Sequence, residues 1–190
     1  MSYLRSFAPW IIYAISTARL DWRVCALLGL VIAVGLVAWE LSTGRQLDSS
    51  VIEVSAAVFF ALVSVIAFAA PDAPLHENLL ALSSIWLALT AWGSLAIRRP
   101  FTLGIARTMV EPEHWDNPAF RRTNVVITMV WAISFTVEAV AAAVLTAVAP
   151  HAVTPIIVLK VASFAIPVVF TIRYSALART RAEQAAMLQS

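Results

Sequence analysis

The sequence has little charge for its length. Charged residues make up 13% of the 190 residues and hydrophobic residues 61%, whereas about a quarter of an ordinary soluble domain is charged. This composition excludes the soluble globular class and predicts a polytopic membrane protein. The net charge of +2 comes from basic residues scattered between apolar runs, so we expect no binding to nucleic acid.

Cysteine and recognisable catalytic motifs are also scarce. The single cysteine, Cys25, excludes an intrachain disulfide, and a buried thiol is a commoner role for it than a redox centre. The sequence has no nucleophile elbow, phosphate loop, haem motif or dinucleotide fingerprint, and we expect no cofactor. Arg5 precedes an apolar stretch, but no small-residue cleavage site follows, so a removable signal peptide is not expected.

Five apolar runs approach or exceed the length of a membrane span, which needs about 20 helical residues. They cover residues 24–41, 51–70, 79–97, 125–149 and 155–172. We therefore predict an all-α polytopic transmembrane bundle that forms a single domain over residues 1–190. A polar central loop at 98–124 separates the third and fourth runs, and an exposed helical tail at 173–190 ends the chain.

A shorter apolar stretch lies near the N-terminus, within residues 7–20. It is too short for an ordinary span, and two interpretations remain open. It forms either a short or tilted helix packed inside the bundle, or an interfacial element with Trp10 and Tyr13 at headgroup level. The wide apolar arc, which includes Ile11 and Ile15, favours the packed helix.

Arginine is distributed unevenly between the loops. Arg45, the central loop and the tail together contain nine arginines, whereas the loops at 71–78 and 150–154 contain no Lys or Arg. Because basic residues stay on the cytoplasmic side, the central loop and the C-terminus are predicted to be cytoplasmic. Arg19 and Arg23 oppose this orientation locally.

Lysine occurs once, at Lys160 in the last apolar run. A charge at mid-helix costs about 2.5 to 3.5 kcal/mol on insertion scales, so Lys160 should face the protein interior and meet a partner. Glu138, in the neighbouring antiparallel run, is the candidate. Their axial offset of roughly 9 Å predicts a contact that is only partial or is bridged by water. Glu53, near the end of its run, is predicted to be interfacial.

Small and hydroxylated residues form stripes on the last three runs. The stripes consist of Ser83, Thr90 and Ser94; of Ser134, Glu138 and Ala142; and of Lys160, Ser163, Pro167 and Thr171. They form either a polar path or headgroup site between helices, or a set of close helix contacts in which Glu138 and Lys160 neutralise each other. Because such residues are common packing devices in membranes, the second interpretation is favoured.

The central loop contains the remaining candidate residues. These are Arg98, Arg99, Pro100, Arg107, His114, Trp115, Asp116, Arg121, Arg122 and Asn124. The acids beside His114 make a metal or acid/base site conceivable. However, paired histidines one helical turn apart are lacking, and so neither a metal nor catalysis is expected.

The first part of the loop is predicted to form a membrane-surface helix. Pro100 suits a first helical turn, and Phe101, Ile105 and Met109 follow at i, i+4, i+8 spacing. Residues 100–110 are therefore expected to lie on the inner leaflet as an amphipathic helix, with the nearby arginines on anionic headgroups.

Several features recur along the chain in an order known from one protein family. They are Phe7, Pro9 and Ile11; Asp21; Trp39; Arg99 and Pro100; Pro112, Glu113 and Trp115; Arg121, Arg122 and Asn124; Trp131, Ala132 and Phe135; and Lys160, Val161 and Phe164. Their order resembles that of the bacterial septation protein A family of small inner-membrane proteins, which implies a location in a bacterial inner membrane. The loop here is longer by about one helical turn. The resemblance implies a non-enzymatic membrane protein associated with envelope maintenance and with the elongation and division machinery.

Three functional hypotheses follow. The leading one is a non-enzymatic integral membrane protein that binds membrane lipids or other membrane proteins of the envelope or division machinery. The alternative is a small transporter or channel that uses Glu138 and Lys160. The third is a membrane-embedded lipid-modifying enzyme that uses His114 and Asp116.

Overall fold

The computed structural model describes residues 5–17, 19–44, 50–73, 78–149 and 153–187. Within these ranges the regular elements are all helical. They are α1 (Ala8–Ser16), α2 (Trp22–Ser42), α3 (Val51–Ala69), α4 (Leu79–Ala96), α5 (Phe101–Arg107), α6 (Pro118–Val148) and α7 (Val153–Met187), with a 3-10 turn at Pro112–His114. The turn predicted around Arg45 lies outside the described residues.

The prediction of an all-α membrane bundle is confirmed. Among the described residues, five helical segments are long and apolar enough to cross a bilayer. These segments are Trp22–Ser42, Val51–Ala69, Leu79–Ala96, Pro118–Val148 and Ile157–Arg181. The chain thus has the helices of a multi-pass membrane protein.

Two helices run farther than the apolar pattern predicted. α6 begins at Pro118, inside the predicted loop, because Asn117 caps it by accepting a hydrogen bond from the Ala119 amide at 2.8 Å and proline fits the first turn. α7 has 35 residues and includes most of the predicted tail. At about 1.5 Å per residue it is about 52 Å long, so it extends beyond a hydrocarbon core of about 30 Å.

The short helix α1 packs inside the bundle. Trp10 and Tyr13 are only 3% and 2% exposed, and both rings contact Phe60 of α3, with centroid distances of 5.0 and 5.2 Å. Of the two interpretations left open by the sequence, the packed helix is therefore the one observed. With 9 residues, or about 14 Å, α1 is too short to cross the bilayer alone.

An aromatic cluster joins α1 to the second half of the chain. Phe7, just before α1, stacks on Trp131 of α6 with ring centroids 4.7 Å apart, and it meets Phe164 of α7 edge-on at 5.4 Å. Phe101 of α5 and Phe135 of α6 complete the cluster. Around it, α2 packs against α3, α4 against α6, and α7 against α6.

Gly29 of α2 lies directly against the ring of Phe60 of α3. A Cβ atom placed on Gly29 would lie 2.6 Å from the ring of Phe60, and Phe60 is fully buried. Gly35, two turns farther along the same helix, has open space where its Cβ would be. The packing therefore requires glycine at position 29, whereas position 35 has room for a larger side chain.

Alanine substitutions at the two glycines should have opposite effects. Gly29→Ala forces Phe60 out of place and should destabilise the bundle by about 1 to 3 kcal/mol. Gly35→Ala should be neutral or stabilise by about 0.5 to 1 kcal/mol, because glycine weakens a helix interior. Thermal unfolding in detergent measures both. Equal effects would show that α2 and α3 do not meet at Gly29.

Candidate functional site

Lys160 of α7 and Glu138 of α6 form a direct ion pair inside the bundle. Lys160 Nζ lies 2.7 Å from Glu138 Oε1, and the two side chains are 17% and 4% exposed. The predicted partnership is thus present, but the expectation of a partial or water-bridged contact was wrong. The four-carbon stem of lysine is long and flexible enough to close the axial offset between the two positions.

Two serines of α4 complete the site. Lys160 Nζ donates to Ser84 Oγ at 2.9 Å and to Ser83 Oγ at 3.2 Å, and Ser84 Oγ donates to Glu138 Oε1 at 2.7 Å. The ammonium, the hydroxyl and the carboxylate therefore form a closed ring of contacts. This ring joins three helices, α4, α6 and α7, through polar atoms that lipid cannot replace.

The pair is buried and lies beside an aromatic ring. Lys160 Nζ lies 5.9 Å from the centroid of the Phe164 ring, where a cation–π attraction adds to the ion pair. Glu138 Oε2 is buried and has no hydrogen-bond partner within the described part of the chain. Because the Coulomb attraction is strong in such surroundings, the two charges neutralise each other.

The other predicted stripe residues also make contacts between helices. Ser134 Oγ of α6 donates to the Ser163 carbonyl of α7 at 2.9 Å, and Trp131 Nε1 donates to Thr171 Oγ1 at 3.2 Å. Thr90 of α4 and Ser55 of α3 share a hydrogen bond between their hydroxyls at 2.6 Å. These hydrogen bonds link neighbouring helices, α3 to α4 and α6 to α7.

The central segment is not a surface helix, which corrects the prediction for residues 100–110. α5 lies inside the protein: Phe101 and Ile105 are 1% and 4% exposed, and Phe101 belongs to the aromatic cluster. Of the three residues predicted to face the membrane, Phe101, Ile105 and Met109, only Met109, beyond the end of α5, is exposed. The apolar spacing i, i+4 is the same in a helix that faces protein and in one that faces lipid. Periodicity alone therefore could not distinguish a buried helix from a membrane-surface helix.

Buried polar groups fix α5 against its neighbours. Ser94 Oγ of α4 accepts a hydrogen bond from the Phe101 amide at 3.2 Å. Thr102 Oγ1 bonds to the Asn124 carbonyl at 3.0 Å and lies 2.7 Å from Thr128 Oγ1. Asn124, a candidate from the sequence, is thus a buried structural residue at the start of α6.

The arginines of the central segment lie at one end of the bundle. Arg98, Arg99, Arg121 and Arg122 are exposed. Arg107 differs, since its Nε is buried and its guanidinium lies over the Trp115 ring, 5.2 Å from the centroid. We use the name arginine end for the four exposed arginines, Arg98, Arg99, Arg121 and Arg122, together with the helix ends beside them.

The acids and histidine of the loop are separate from the buried pair. His114 and Glu113 have side chains 61% and 70% exposed and lie 3.4 Å apart. Asp116 is also exposed. No group of three or more His, Cys, Asp or Glu side chains in the described ranges is arranged to hold a metal ion.

Two further acids are buried in the first half of the chain, and the sequence analysis did not predict the burial of either. Glu40 at the end of α2 and Glu53 in the first turn of α3 are 5% and 3% exposed. Glu40 accepts a hydrogen bond from Ser50 and lies 3.5 Å from the Arg5 guanidinium. Glu53 is thus covered by protein, which the interfacial prediction did not anticipate. Its position at a helix start, beside polar neighbours, was the only available signal.

Comparisons with known proteins do not extend these observations. No family model, curated protein or solved structure matches this chain. The class of the protein therefore follows from its five long apolar helices, which are those of an integral membrane protein. The resemblance to the septation protein A family stays a prediction.

Removing one member of the buried pair should be worse than removing both. Lys160→Met leaves Glu138 charged and unpaired, and it should destabilise the bundle by about 3 to 5 kcal/mol. The double change Lys160→Met with Glu138→Gln should recover part of this loss. A thermal-stability cycle in detergent measures the coupling. Additive effects of the two single changes would contradict a direct ion pair.

Proposed function

We propose that this chain is a non-enzymatic integral protein of a bacterial inner membrane, which acts by binding lipids and other membrane proteins at its arginine end. The observation that carries the proposal is the difference between the buried and the exposed charges of the protein. The buried charges at Lys160 and Glu138 are used by the fold itself, whereas exposed guanidinium groups converge at one end of the bundle. The resemblance to septation and envelope-maintenance proteins suggests the same role.

The buried pair suits assembly better than transport. A transported ion or proton must be able to approach and leave the charged groups, but Glu138 is 3% exposed and Oε1 already contacts both Lys160 and Ser84. Opening this site would expose two unpaired charges to a low dielectric, which costs several kcal/mol. A permanent ion pair that stabilises the bundle is therefore the simpler role for Lys160 and Glu138.

The arginine end suits binding. Arginine presents five donors in a planar fork that matches phosphate and carboxylate groups. α5 and its buried hydrogen bonds attach this end to the core, so the exposed side chains project from a fixed support. Binding to anionic headgroups or to acidic segments of a partner follows from this chemistry.

A specific observation keeps the transporter as the second candidate. Glu138 Oε2 is buried without a hydrogen-bond partner among the described residues, and acidic residues inside membrane spans commonly mark ion and proton pathways. In that case Glu138 would exchange Lys160 for a transported cation during each cycle.

Cysteine labelling tests the orientation that the proposal uses. In a Cys25→Ser background, Glu113→Cys and Gln184→Cys should react with a membrane-impermeant maleimide only after the cells are permeabilised, since the arginine-rich side stays in the cytoplasm. Asp72→Cys should react in intact cells. Labelling of Glu113→Cys in intact cells would invert the orientation.

Flux measurements separate binding from transport. Purified protein in liposomes should carry no proton or cation flux above that of empty liposomes. The double variant Glu138→Gln with Lys160→Met should still retain the lipids and proteins that accompany the wild type from native membranes. Replacing the four exposed arginines of the arginine end with glutamine should abolish this retention of lipids and proteins, because the guanidinium groups make the contacts. A flux abolished by Glu138→Gln would contradict the proposal and support the transporter.

A further inference from the structure

A groove of about 380 Å³ opens between α4 and α6 at the arginine end. Trp92, Leu95 and Arg98 line one side of it, from α4 and the residues that follow. Arg121, Val125 and Met129 of α6 line the other side, and Pro100 also lines the groove. Its volume falls in the range of small-molecule sites in proteins, about 300 to 1,000 Å³.

On both sides of the groove, the lining residues change from charged to apolar in the same direction. Arg121, Val125 and Met129 lie at i, i+4 and i+8, and therefore on one face of α6. On the other side, Trp92 precedes Arg98 by six positions. The groove is thus charged where the helices leave the membrane and apolar one to two turns deeper.

Trp92 forms the deep end of the groove. Its Nε1 donates to Thr136 Oγ1 of α6 at 3.1 Å, so the indole bridges the two helices that bound the groove. The side chain is still 43% exposed. The polar edge of the indole is thus occupied by protein, and the exposed part that remains is largely apolar.

The backbone at Arg98 is held in an unfavourable conformation. Arg98 has a φ of 58°, in the left-handed region that glycine normally fills at the end of a helix. The Arg99 amide donates to the Ser94 carbonyl at 2.8 Å, and the Arg98 amide donates to the Leu95 carbonyl at 2.9 Å, which is the glycine-type helix ending. An arginine tolerated at this strained position points to a use for its side chain.

The two arginines of the groove have no acidic partner within the described parts of the chain. Arg98 and Arg121 are exposed, and neither forms an ion pair with a described carboxylate. Arg121 also lies in the first turn of α6, where the helix dipole adds positive potential. The charged end of the groove is therefore complementary to an anion.

We propose that this groove binds one anionic phospholipid, with the phosphate between Arg98 and Arg121 and an acyl chain along Val125, Met129 and Trp92. The inference rests on the proposed binding role of the arginine end and names the class of ligand. A lipid fits better than a free phosphate or an acidic peptide, because the deeper half of the groove is apolar and belongs to helices of membrane length.

Lipid titration of the full chain in neutral detergent tests this site. Native mass spectrometry should show one phosphatidylglycerol bound in preference to phosphatidylcholine with the same acyl chains, and phosphatidylglycerol should raise Tm. Arg121→Gln should weaken the affinity roughly tenfold, as expected for the loss of a charged hydrogen bond. Arg179→Gln, an exposed arginine of α7 outside the groove, is the matched control and should bind like the wild type.

Arg98→Gly separates binding from folding. Glycine suits the left-handed backbone, so this variant should have a higher Tm than the wild type in lipid-free detergent. It should nevertheless bind phosphatidylglycerol more weakly. A higher Tm with unchanged lipid affinity would overturn the proposal, since the arginine would then have no role in binding.

Blocking the apolar half distinguishes a lipid from its headgroup alone. Val125 is 36% exposed, and so Val125→Trp should fill the groove without disturbing the core, and it should weaken phosphatidylglycerol binding. Equal binding of glycerol phosphate and phosphatidylglycerol would overturn the lipid assignment in favour of a free phosphate. Full competition by an acidic peptide, with no effect of Val125→Trp, would overturn it in favour of a protein partner.

The failure of this site can be told apart from the failure of the proposed function. If Arg98→Gly and Arg121→Gln leave lipid binding intact while glutamine at all four exposed arginines abolishes it, the groove is wrong and the arginine end still binds lipid. If glutamine at all four positions also has no effect, both the groove and the lipid-binding role are wrong.

Discussion

The ion pair between Lys160 and Glu138 is the interaction on which the position of α7 depends. α7 is the least buried of the membrane-length helices. Only 17% of its apolar membrane-length stretch is buried inside the protein, against 28% to 44% for the other four helices. Sliding α7 by one turn, about 5.4 Å, would break a contact of 2.7 Å and leave two unpaired charges in the membrane. The pair therefore fixes the register of α7 against α4 and α6, which apolar packing in lipid specifies only weakly.

Polar atoms have two separate uses in this molecule. Inside the bundle, hydroxyl and indole groups such as those of Ser84, Thr90 and Trp131 link neighbouring helices. At the arginine end, guanidinium groups stay exposed on a support that Phe101 and Thr102 attach to the core. The same fold thus provides a closed interior and a fixed charged surface.

The sequence predicted the features that depend on composition and length. Apolar runs of membrane length gave the five spans, and the cost of an isolated charge identified Lys160 and Glu138 as partners. It did not predict that α5 is buried, because the spacing of Phe101 and Ile105 is the same whether a helix faces lipid or protein. Nor could it place Phe7 against Trp131, since that contact depends on tertiary packing of residues far apart in the chain.

The most direct test of this account is the protonation state of Glu138 in the folded protein. Infrared difference spectra between the wild type and Glu138→Gln, recorded in lipid over the pH range in which the bundle stays folded, distinguish a carboxylate from a protonated carboxyl group. A permanent pair with Lys160 predicts that the spectrum loses only carboxylate bands. A protonated carboxyl band that appears and disappears with pH would contradict the structural role and identify Glu138 as a proton-exchanging site.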